Sequence, residues 1–429
     1  MSTPLLLGRP RSLSSSQEQC LKDMWAAVFI LFSTVEPING EHNNIFTDKK
    51  DLRKHKLKLA ALLNKKSAVV VDPAQDKYSL TKDMRDDLAN KDPKDLRAAF
   101  WNFVKLENPD TWLLRFLRAR KWDVHRAFVM LLSTIHWRTS EMCYPKVDRL
   151  AAEGEEYFFL NNDEEFIKQL QSGKAFMYGS DKEGRPLSYI KPRLHFPAHQ
   201  SLETMQKFTS FYMETAIFFL NDYVDQGCMV VDITGFSLAN LDLPVAKFMI
   251  KCLETYYPEC LGICLIHNAP WWFQGIWNII KGLLDPEFAS KLHFTRTTAD
   301  LEKFISADQL IQEFGGNNQF VYTYVDPVAG ENNLMKETQQ RDAILAERDE
   351  RITKLERTTQ SWIAADENDD QDKLKEQRYE LMKQFREDYF RFDPYIRARS
   401  LYDRTGAINV EAASYLNTGG SKTSSAEIQ

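Results

Sequence analysis

Two short and continuously apolar segments constrain the fold of this chain more than any other feature. They cover residues 228–232 (CMVVD) and 263–267 (ICLIH), and a helical pattern over residues 244–256 lies between them. Strands that are apolar throughout are buried on both faces, and a crossover helix between two such strands makes them parallel. The pattern therefore predicts an α/β fold with a mostly parallel sheet.

Further elements are predicted on both sides of this unit. Ser15 and Glu18 have the spacing of a capping box, and Asp110 or Thr111 is placed to cap a later helix. A hairpin signal (SDKEG) joins two strand-like runs. The predicted helices cover residues 17–32, a block over 96–143, and 202–224; the predicted strands cover 175–178, 186–190 and 292–295; and residues 38–95 are expected to hold short helices at best.

The region after residue 330 differs in composition from the rest. It predicts two charged helices, and the first carries only a thin apolar stripe of Leu345, Ile352, Leu355 and Trp362. Such a stripe fits either a dimeric coiled coil or helices packed back on the core, and its shortness favours packing. The chain is thus divided into a disordered tail (1–14), an all-α N-terminal lobe (15–150), the α/β domain (151–328), a helical extension (329–406) and a disordered tail (407–429).

Charge and composition exclude several classes of function. The net charge of -6 argues against nucleic acid as a partner, and no stretch reaches the roughly 18 apolar residues of a membrane span. Six scattered cysteines, without a recognisable secretory signal, indicate free thiols in a reducing cytoplasm. Cys260 and Cys264 have no second ligand pair nearby, so no metal site is predicted.

No catalytic constellation is recognisable. Residues 235–239 (GFSLA) lack the final glycine of a nucleophile elbow, and His195 and His199 are separated by Pro197 with no glutamate beside them. These histidines are interpreted as loop residues. The sequence therefore predicts that the protein is not an enzyme.

Residues 271–284 (WWFQGIWNIIKGLL) are apolar on nearly every helical face and contain three tryptophans. A buried core helix would explain the apolar character. Tryptophan, however, favours the membrane interface, where one end of its ring system is apolar and the other is wet. The composition favours a helix that faces a cavity in one state and a bilayer in another.

Three stretches of the sequence resemble the CRAL-TRIO phosphatidylinositol transfer proteins of fungi. Residues 113–124 (LLRFLRARKWDV) look like the N-terminal helical signature of that family, and residues 181–186 (DKEGRP) look like its hairpin. The third is an ordered series of motifs, YYPE at 256–259, NAP at 268–270, LDP at 284–286 and SK at 290–291. The resemblance covers residues 25–325.

The resemblance implies a sheet that floors an apolar pocket, a mobile gate helix over 271–284, and a head-group site for phosphoinositol. Glu259 and Lys291 match the acid and base of that site, and Arg120 matches a neighbouring basic position. Members that also carry phosphatidylcholine have hydroxyl residues where this chain has Gly227 and Met229, so that second site is expected to be lost. The residues expected to form the gate and touch the membrane are Trp271, Trp272, Phe273, Ile276, Trp277 and Ile280.

The implied function is the binding of phosphatidylinositol and its transfer between membranes, for phosphoinositide synthesis and membrane traffic. The bound phospholipid is then the only ligand, with no cofactor, and the partners are a transiently touched membrane surface and possible lipid kinases. A cytoplasmic location is expected, with endoplasmic reticulum, endosome and lipid droplet left open as membranes. Two alternatives remain: a carrier of a sterol-like or terpenoid hydrophobe, and a lipid-sensing adaptor that acts through its C-terminal helices.

Overall fold

A computed structural model describes residues 7–32, 87–88, 91–140, 145–221, 224–365 and 370–408. Most of the predicted segment 38–95, residues 1–6 of the first tail, residues 409–429 of the last, and Cys143 lie outside the described residues.

A mixed five-stranded sheet in the described part of the chain forms the centre of the α/β domain, as predicted. Its strands lie in the order β1-β2-β3-β4-β5, with β1 antiparallel to β2 and all other neighbours parallel. Cys228 pairs with Ile263 and Asp232 with His267, which confirms that the two apolar segments are parallel neighbours. The strands are β1 (Ala175–Ser180), β2 (Pro186–Ile190), β3 (Gly227–Asp232), β4 (Leu261–His267) and β5 (Leu292–Thr295).

Helices precede, cover and follow this sheet. Those before it are α1 (Ser15–Phe32), α2 (Pro93–Val104), α3 (Pro109–Ala119), α4 (Val124–Thr139), α5 (Val147–Leu160) and α6 (Glu164–Gln171). Those within the α/β domain are α7 (Leu202–Ala216), α8 (Leu243–Lys251), α9 (Phe273–Lys281), α10 (Pro286–Ser290) and α11 (Thr298–Leu301). Those after it are α12 (Thr338–Ala364), α13 (Gln371–Phe392) and α14 (Leu401–Arg404).

Two predicted helix starts are displaced by one or two residues. The cap of α3 is Asn108, whose side chain accepts a hydrogen bond from the Asp110 amide, so neither Asp110 nor Thr111 caps the helix. At α1, Ser14 and Gln17 bond reciprocally instead of Ser15 and Glu18. Both differences have the same cause. A capping residue must precede the first helical residue, and Pro109 and Ser15 are already the first residues of α3 and α1.

Two predicted helices of the α/β domain end early. The pattern over 244–256 is α-helical only to Lys251, and residues Cys252–Tyr256 form a π-helical turn. The long helix predicted over 202–224 ends at Ala216 and continues as a short 3-10 turn, Ile217–Phe219. Wider or tighter turns of this kind commonly interrupt helices near functional sites.

The C-terminal helix pair, α12 and α13, packs back on the N-terminal lobe, as favoured from the sequence. Its apolar side chains join the same buried cluster as Trp25 and Phe100, and the Phe385 ring stacks on Trp101 with centroids 5.5 Å apart. The members contributed by the helix pair are Ile352, Leu355, Trp362, Leu381, Met382 and Phe385.

The segment after α13 continues onto the α/β domain. The Ala398 amide donates to the carbonyl of Ala152 over 2.9 Å, where α5 is kinked at Gly154. Gly154 has a φ of 59°, and a Cβ there would lie 2.7 Å from the Cβ of Ala398. Only glycine permits both the backbone conformation and this close approach.

Candidate lipid-binding site

An apolar cavity of about 270 Å³ lies between one face of the sheet and helix α9. Side chains alternate along a strand, so Met229 and Val231 of β3 point into the cavity, whereas Cys228 and Val230 point to the core on the opposite face. Helices α7 and α8 supply further walls through Phe208 and Met249. The predicted pocket floored by the sheet is therefore present.

A smaller cavity of about 70 Å³ shares Met229 and Leu261 with the first one and extends to Gly227 and Cys260. Gly227 offers no side chain, and its amide donates to the Cys260 carbonyl over 2.7 Å. Met229 is buried and apolar. The two positions compared with the phosphatidylcholine carriers thus both lie on cavity walls, and neither carries a hydroxyl group.

The proposed head-group residues lie at the amino edge of the parallel sheet. Gln226, Glu259 and Lys291 stand one or two residues before β3, β4 and β5, and the amino ends of parallel neighbours meet at one edge. The Lys291 Nζ lies 3.0 Å from Glu259 Oε1, and Gln226 Nε2 lies 3.3 Å from Glu259 Oε2. Both charged side chains are largely buried, and their neighbours Leu261 and Leu292 line the main cavity.

A group of buried arginines lies beside this pair. Arg118 donates to Asp225 Oδ2 over 2.6 Å, and Arg9 forms an ion pair of 2.8 Å with the other oxygen of Asp225. Arg115 is fully buried and binds Glu107 through two hydrogen bonds. Burial lowers the pKa of Arg118, although the charges of Asp225 and Glu259 act in the opposite direction.

Arg120 takes a different position from the one expected. It follows the last residue of α3, and its guanidinium donates to the Ala119 carbonyl over 3.3 Å. Within the described ranges, no hydrogen bond or ion pair joins Arg120 to Glu259 or Lys291. Arg118 is instead the arginine that interacts electrostatically with Glu259. Arg115 and Arg118, three residues apart, share one helix face, a spacing that the sequence already displayed.

Glu259 lies in a turn, and Tyr257 connects this turn to the N-terminal lobe. Its hydroxyl donates to Glu214 Oε1 over 2.6 Å, and Arg138 of α4 donates to the same oxygen over 2.7 Å. Lys105 forms an ion pair with the other oxygen. Burial alone would raise the pKa of Glu214, but the charges of Arg138 and Lys105 hold the pKa well below its usual range.

Helix α9, called the gate helix below, covers the cavity. It is shorter than the predicted 271–284, and of the six predicted contact residues Phe273 and Ile276 are buried. Trp277 and Ile280 also line the cavity, and Trp272 stacks on Phe236. Trp271 differs from the other five because 86% of its surface is exposed.

The outer surface near the gate helix is unusually apolar. Leu238 is 70% exposed, and Ile279 and Phe294 are also exposed. Phe294 packs edge-on against Trp277, and the loop that carries Leu238 reaches the gate through the Phe236–Trp272 stack. Leu238 and Phe294 were missed from the sequence because they lie in a loop and in a strand outside the segment 271–284, and only the fold brings them near the gate helix. The chain just after the gate helix is held by a hydrogen bond, in which the Asp285 amide donates to Glu254 Oε1 over 2.9 Å.

Comparison with known proteins agrees with this geometry. The CRAL/TRIO domain matches residues 170–316, and the CRAL/TRIO N-terminal domain matches residues 81–133. A CRAL-TRIO domain-containing protein of Schizosaccharomyces pombe, C3H8.02, is 38% identical over 94% of this chain and 92% of its own length. The chain belongs to the CRAL-TRIO family. The general activity that accompanies this family is lipid transfer.

A second relative shows how much of this CRAL-TRIO protein the likeness covers, and one solved structure is similar over part of the chain. Phosphatidylinositol transfer protein CSR1 of Eremothecium gossypii is 34% identical over 94% of this chain and 98% of its own length. The match therefore includes the C-terminal helix pair as well as the domain itself. A crystal structure of Sfh5 is 15% identical and aligns over 51% of this chain and 81% of that chain, with a TM-score of 0.40.

Two kinds of feature are absent from the described residues. None of the helices there is both long enough and apolar enough to cross a bilayer. In the same residues, no group of three or more histidine, cysteine, aspartate or glutamate side chains is arranged to hold a metal ion.

Proposed function

We propose that this CRAL-TRIO protein binds phosphatidylinositol and transfers it between membranes, as a carrier without catalytic activity and without a cofactor. The observation that carries the proposal is the Lys291–Glu259 pair, whose charged atoms are 3.0 Å apart and whose neighbours Leu292 and Leu261 line the apolar cavity. A cation and an anion close to an apolar cavity suit a ligand that is polar at one end and apolar along the rest.

The head group must decide which lipid is taken. Burying an acyl chain gains about 0.8 kcal/mol per methylene against water, but the bilayer supplies nearly the same gain, so the two cancel on exchange. Lys291 offers an ammonium group to the phosphodiester, and Glu259 accepts hydrogen bonds from inositol hydroxyls. Exchange of the Lys291–Glu259 ion pair for these contacts keeps both side chains hydrogen-bonded, and the phosphodiester replaces Glu259 as the anion beside Lys291.

The charge around the pair suits a singly charged head group. Among the described residues, the cations that form ion pairs here are Arg9, Arg115, Arg118 and Lys291, and the anions are Glu107, Asp225 and Glu259. Together they leave one positive charge, which a phosphodiester would neutralise. A zwitterionic head group such as phosphocholine would bring a second cation into the same place.

Entry and exit of the lipid are proposed to occur through the gate helix. The exposed side chains of Trp271, Leu238, Ile279 and Phe294 provide an apolar surface that inserts into a membrane interface. Movement of the gate then opens the cavity toward the bilayer. We expect the protein in the cytoplasm, in transient contact with membranes, where it would present phosphatidylinositol to lipid kinases for phosphoinositide synthesis.

The test is transfer of labelled phosphatidylinositol between vesicles, with labelled phosphatidylcholine measured in parallel. The wild type is expected to move phosphatidylinositol, and Glu259→Ala/Lys291→Ala is expected to lose that transfer. Arg120→Ala serves as a matched control, because it removes a nearby cation that does not contact the pair. Failure of the wild type to move phosphatidylinositol would overturn the proposal. Transfer of phosphatidylcholine would show that Gly227 and Met229 do not exclude it.

A further inference from the structure

A second polar cluster lies in the wall of the main cavity, away from the head-group pair. Lys174, His195 and Asp242 all line this mostly apolar space, and Lys174 and His195 are only 6% and 8% exposed. The Lys174 Nζ lies 3.1 Å from His195 Nδ1, and His195 Nε2 lies 3.1 Å from Asp242 Oδ2. The three side chains therefore form one hydrogen-bonded chain.

The chain of hydrogen bonds has one consistent arrangement of protons. Lys174 donates to His195 Nδ1, and His195 donates its Nε2 proton to Asp242, which leaves the imidazole neutral. Burial and the neighbouring ammonium lower the pKa of His195, in agreement with a neutral ring. Burial also lowers the pKa of Lys174 to about 8, partly offset by Asp242, so the amine still carries its proton at neutral pH. The cluster as a whole is therefore uncharged.

Lys174 has donor capacity left over. Its ammonium group carries three N–H bonds, and among the described residues the acceptors within reach are His195 Nδ1 and the Met205 sulfur at 3.7 Å. A thioether is a weak acceptor. Both ring nitrogens of His195 are occupied by contrast, and Asp242 already accepts from His195 and from the Val245 amide at the start of α8. The cluster presents a donor to the cavity.

The cluster lies at the opposite edge of the sheet from Glu259 and Lys291. The Lys174 carbonyl accepts from the Lys191 amide just beyond the end of β2, and His195 and Asp242 follow the carboxyl ends of β2 and β3. The length of β3 separates the two edges by about 16 Å at 3.3 Å per residue. A phospholipid with its head group at the amino edge would place only acyl chain here. The head-group site therefore leaves the Lys174 cluster unexplained.

From this placement we infer that the cavity has a second ligand subsite, in which Lys174 donates to the oxygen of a hydrophobe carrying one uncharged hydroxyl or carbonyl group at its end. The apolar body of the ligand would occupy the space between β3 and the gate helix. Carboxyl ends of parallel strands are the usual place for ligands in open α/β sheets, which agrees with this position. The inference does not depend on the phosphatidylinositol site.

The charge of the cluster selects an uncharged end group. Lys174 and Asp242 already balance each other, so a carboxylate or phosphate would add an uncompensated negative charge to an apolar cavity. Burying an unpaired charge is costly, whereas a hydroxyl or carbonyl oxygen needs only the one donor that Lys174 offers. A pure hydrocarbon would leave that donor without a strong acceptor.

The experiment compares matched ligands that partition from phosphatidylcholine vesicles into the full-length protein. Hexadecanol is paired with hexadecane, and cholesterol with cholestane, so that each pair differs by one hydroxyl group. Lys174→Met keeps the length of the side chain but removes its N–H groups. In at least one pair, the ratio of alcohol affinity to hydrocarbon affinity is expected to be about tenfold lower in the variant than in the wild type. This factor corresponds to the loss of one charge-assisted hydrogen bond. An unchanged ratio in both pairs overturns the inference.

Three controls make the outcome specific. Lys191→Met removes another cavity lysine, one whose ammonium group is paired with Glu313, and should leave the alcohol-to-hydrocarbon ratio unchanged. Hexadecanoate should gain nothing from Lys174, and tighter binding of it than of hexadecanol would overturn the choice of an uncharged group. If Lys174→Met fails to fold, Lys174→Gln, which keeps a donor, should fold and retain part of the preference. A loss of stability in Lys174→Gln with no change in the ratio would mean that the cluster only ties the loop of His195 to α8.

The result separates the two sites. Glu259→Ala/Lys291→Ala should keep the preference for the alcohol, and Lys174→Met should keep the transfer of phosphatidylinositol. Loss of both properties in either variant would contradict the existence of two independent subsites.

Discussion

The gate helix and the C-terminal helix pair are attached to the molecule in different ways. The gate helix is mostly apolar, with Gln274, Asn278 and Lys281 as its polar side chains, yet only Phe273 and Ile276 of it are buried. Trp271, just before the helix, is exposed. The helix pair is densely charged, yet Trp362 and Phe385 are buried in the core of the N-terminal lobe. Burial therefore does not follow composition in these two regions, because the charged helix pair is packed into the core more fully than the apolar gate helix.

Buried arginines explain how the charged helices are held. Arg378 of α13 donates to Asp110 over 2.6 Å and to Thr359 over 2.9 Å, and its guanidinium lies 4.0 Å above the Trp362 ring. Arg348 of α12 donates to the Lys105 carbonyl over 2.8 Å. These contacts connect both helices to α2, α3 and the loop between them.

Phe385→Ala should give the largest effect on stability. The ring is almost fully buried and stacks on Trp101, so its loss leaves a cavity, and we expect the free energy of unfolding to fall by about 3–5 kcal/mol. Chemical denaturation measures this change. Leu345→Ala, an exposed position on α12, should change stability by less than about 0.5 kcal/mol. Equal effects of the two variants would mean that the helix pair is not packed on the lobe.

Glu254→Ala should have an intermediate effect, confined to the end of the gate. It removes the acceptor of the Asp285 amide, and the loss of one such hydrogen bond costs about 1 kcal/mol. Amide hydrogen exchange at Asp285 should then accelerate severalfold, while Glu254→Gln, which keeps an acceptor oxygen, should stay close to the wild type. An unchanged exchange rate at Asp285 in Glu254→Ala would show that this contact does not hold the gate.

Trp271→Ala should have the smallest effect on stability and still impair function. Its side chain is 86% exposed, so the free energy of unfolding should change by less than about 0.5 kcal/mol. Binding to phosphatidylinositol-containing vesicles, measured by co-sedimentation, should nevertheless weaken, because an interfacial tryptophan is lost. Phe273→Ala, which changes a buried gate residue, should show the opposite pattern, because it should lower the free energy of unfolding more than Trp271→Ala does and weaken vesicle binding less. Normal vesicle binding by Trp271→Ala would show that Trp271 is not part of the membrane-binding surface.

The adaptor alternative is affected by the same packing. Deletion of residues 331–403 would expose the core around Trp25 and Phe100, so a loss of activity after deletion would reflect damage to the lobe. Substitutions on the outward faces of α12 and α13 are the appropriate test for a protein partner.

Local patterns were sufficient to predict the sheet and the helices that cover it. Strands β3 and β4 are largely continuous apolar runs, and the gate segment is apolar on nearly every face, so neither needed information from distant residues. The number of buried charged residues in α12 and α13 could not be predicted, because Arg348 and Arg378 look like surface residues until their partners in other segments are known. The π-helical turn after Lys251 was missed for a similar reason, since its sequence continues the helical pattern.

The candidate site was predictable where family motifs covered it. Glu259 and Lys291 come together as expected, whereas Arg118 and Asp225 were overlooked beside them. The cluster of Lys174, His195 and Asp242 had no signal, because its members come from three separate segments and meet only through the order of the strands. His195 was interpreted as a loop residue, which is correct, but the loop faces the cavity.

The carboxylate of Glu214 has a consequence for how the protein can fail. Because it binds Tyr257 of the α/β domain and Arg138 and Lys105 of the lobe at once, the two parts should fold and unfold as one cooperative unit. Removal of one partner from a buried ion network costs about 3–5 kcal/mol. An inherited change at Arg138 would therefore act first through the amount of protein that survives quality control in the cell.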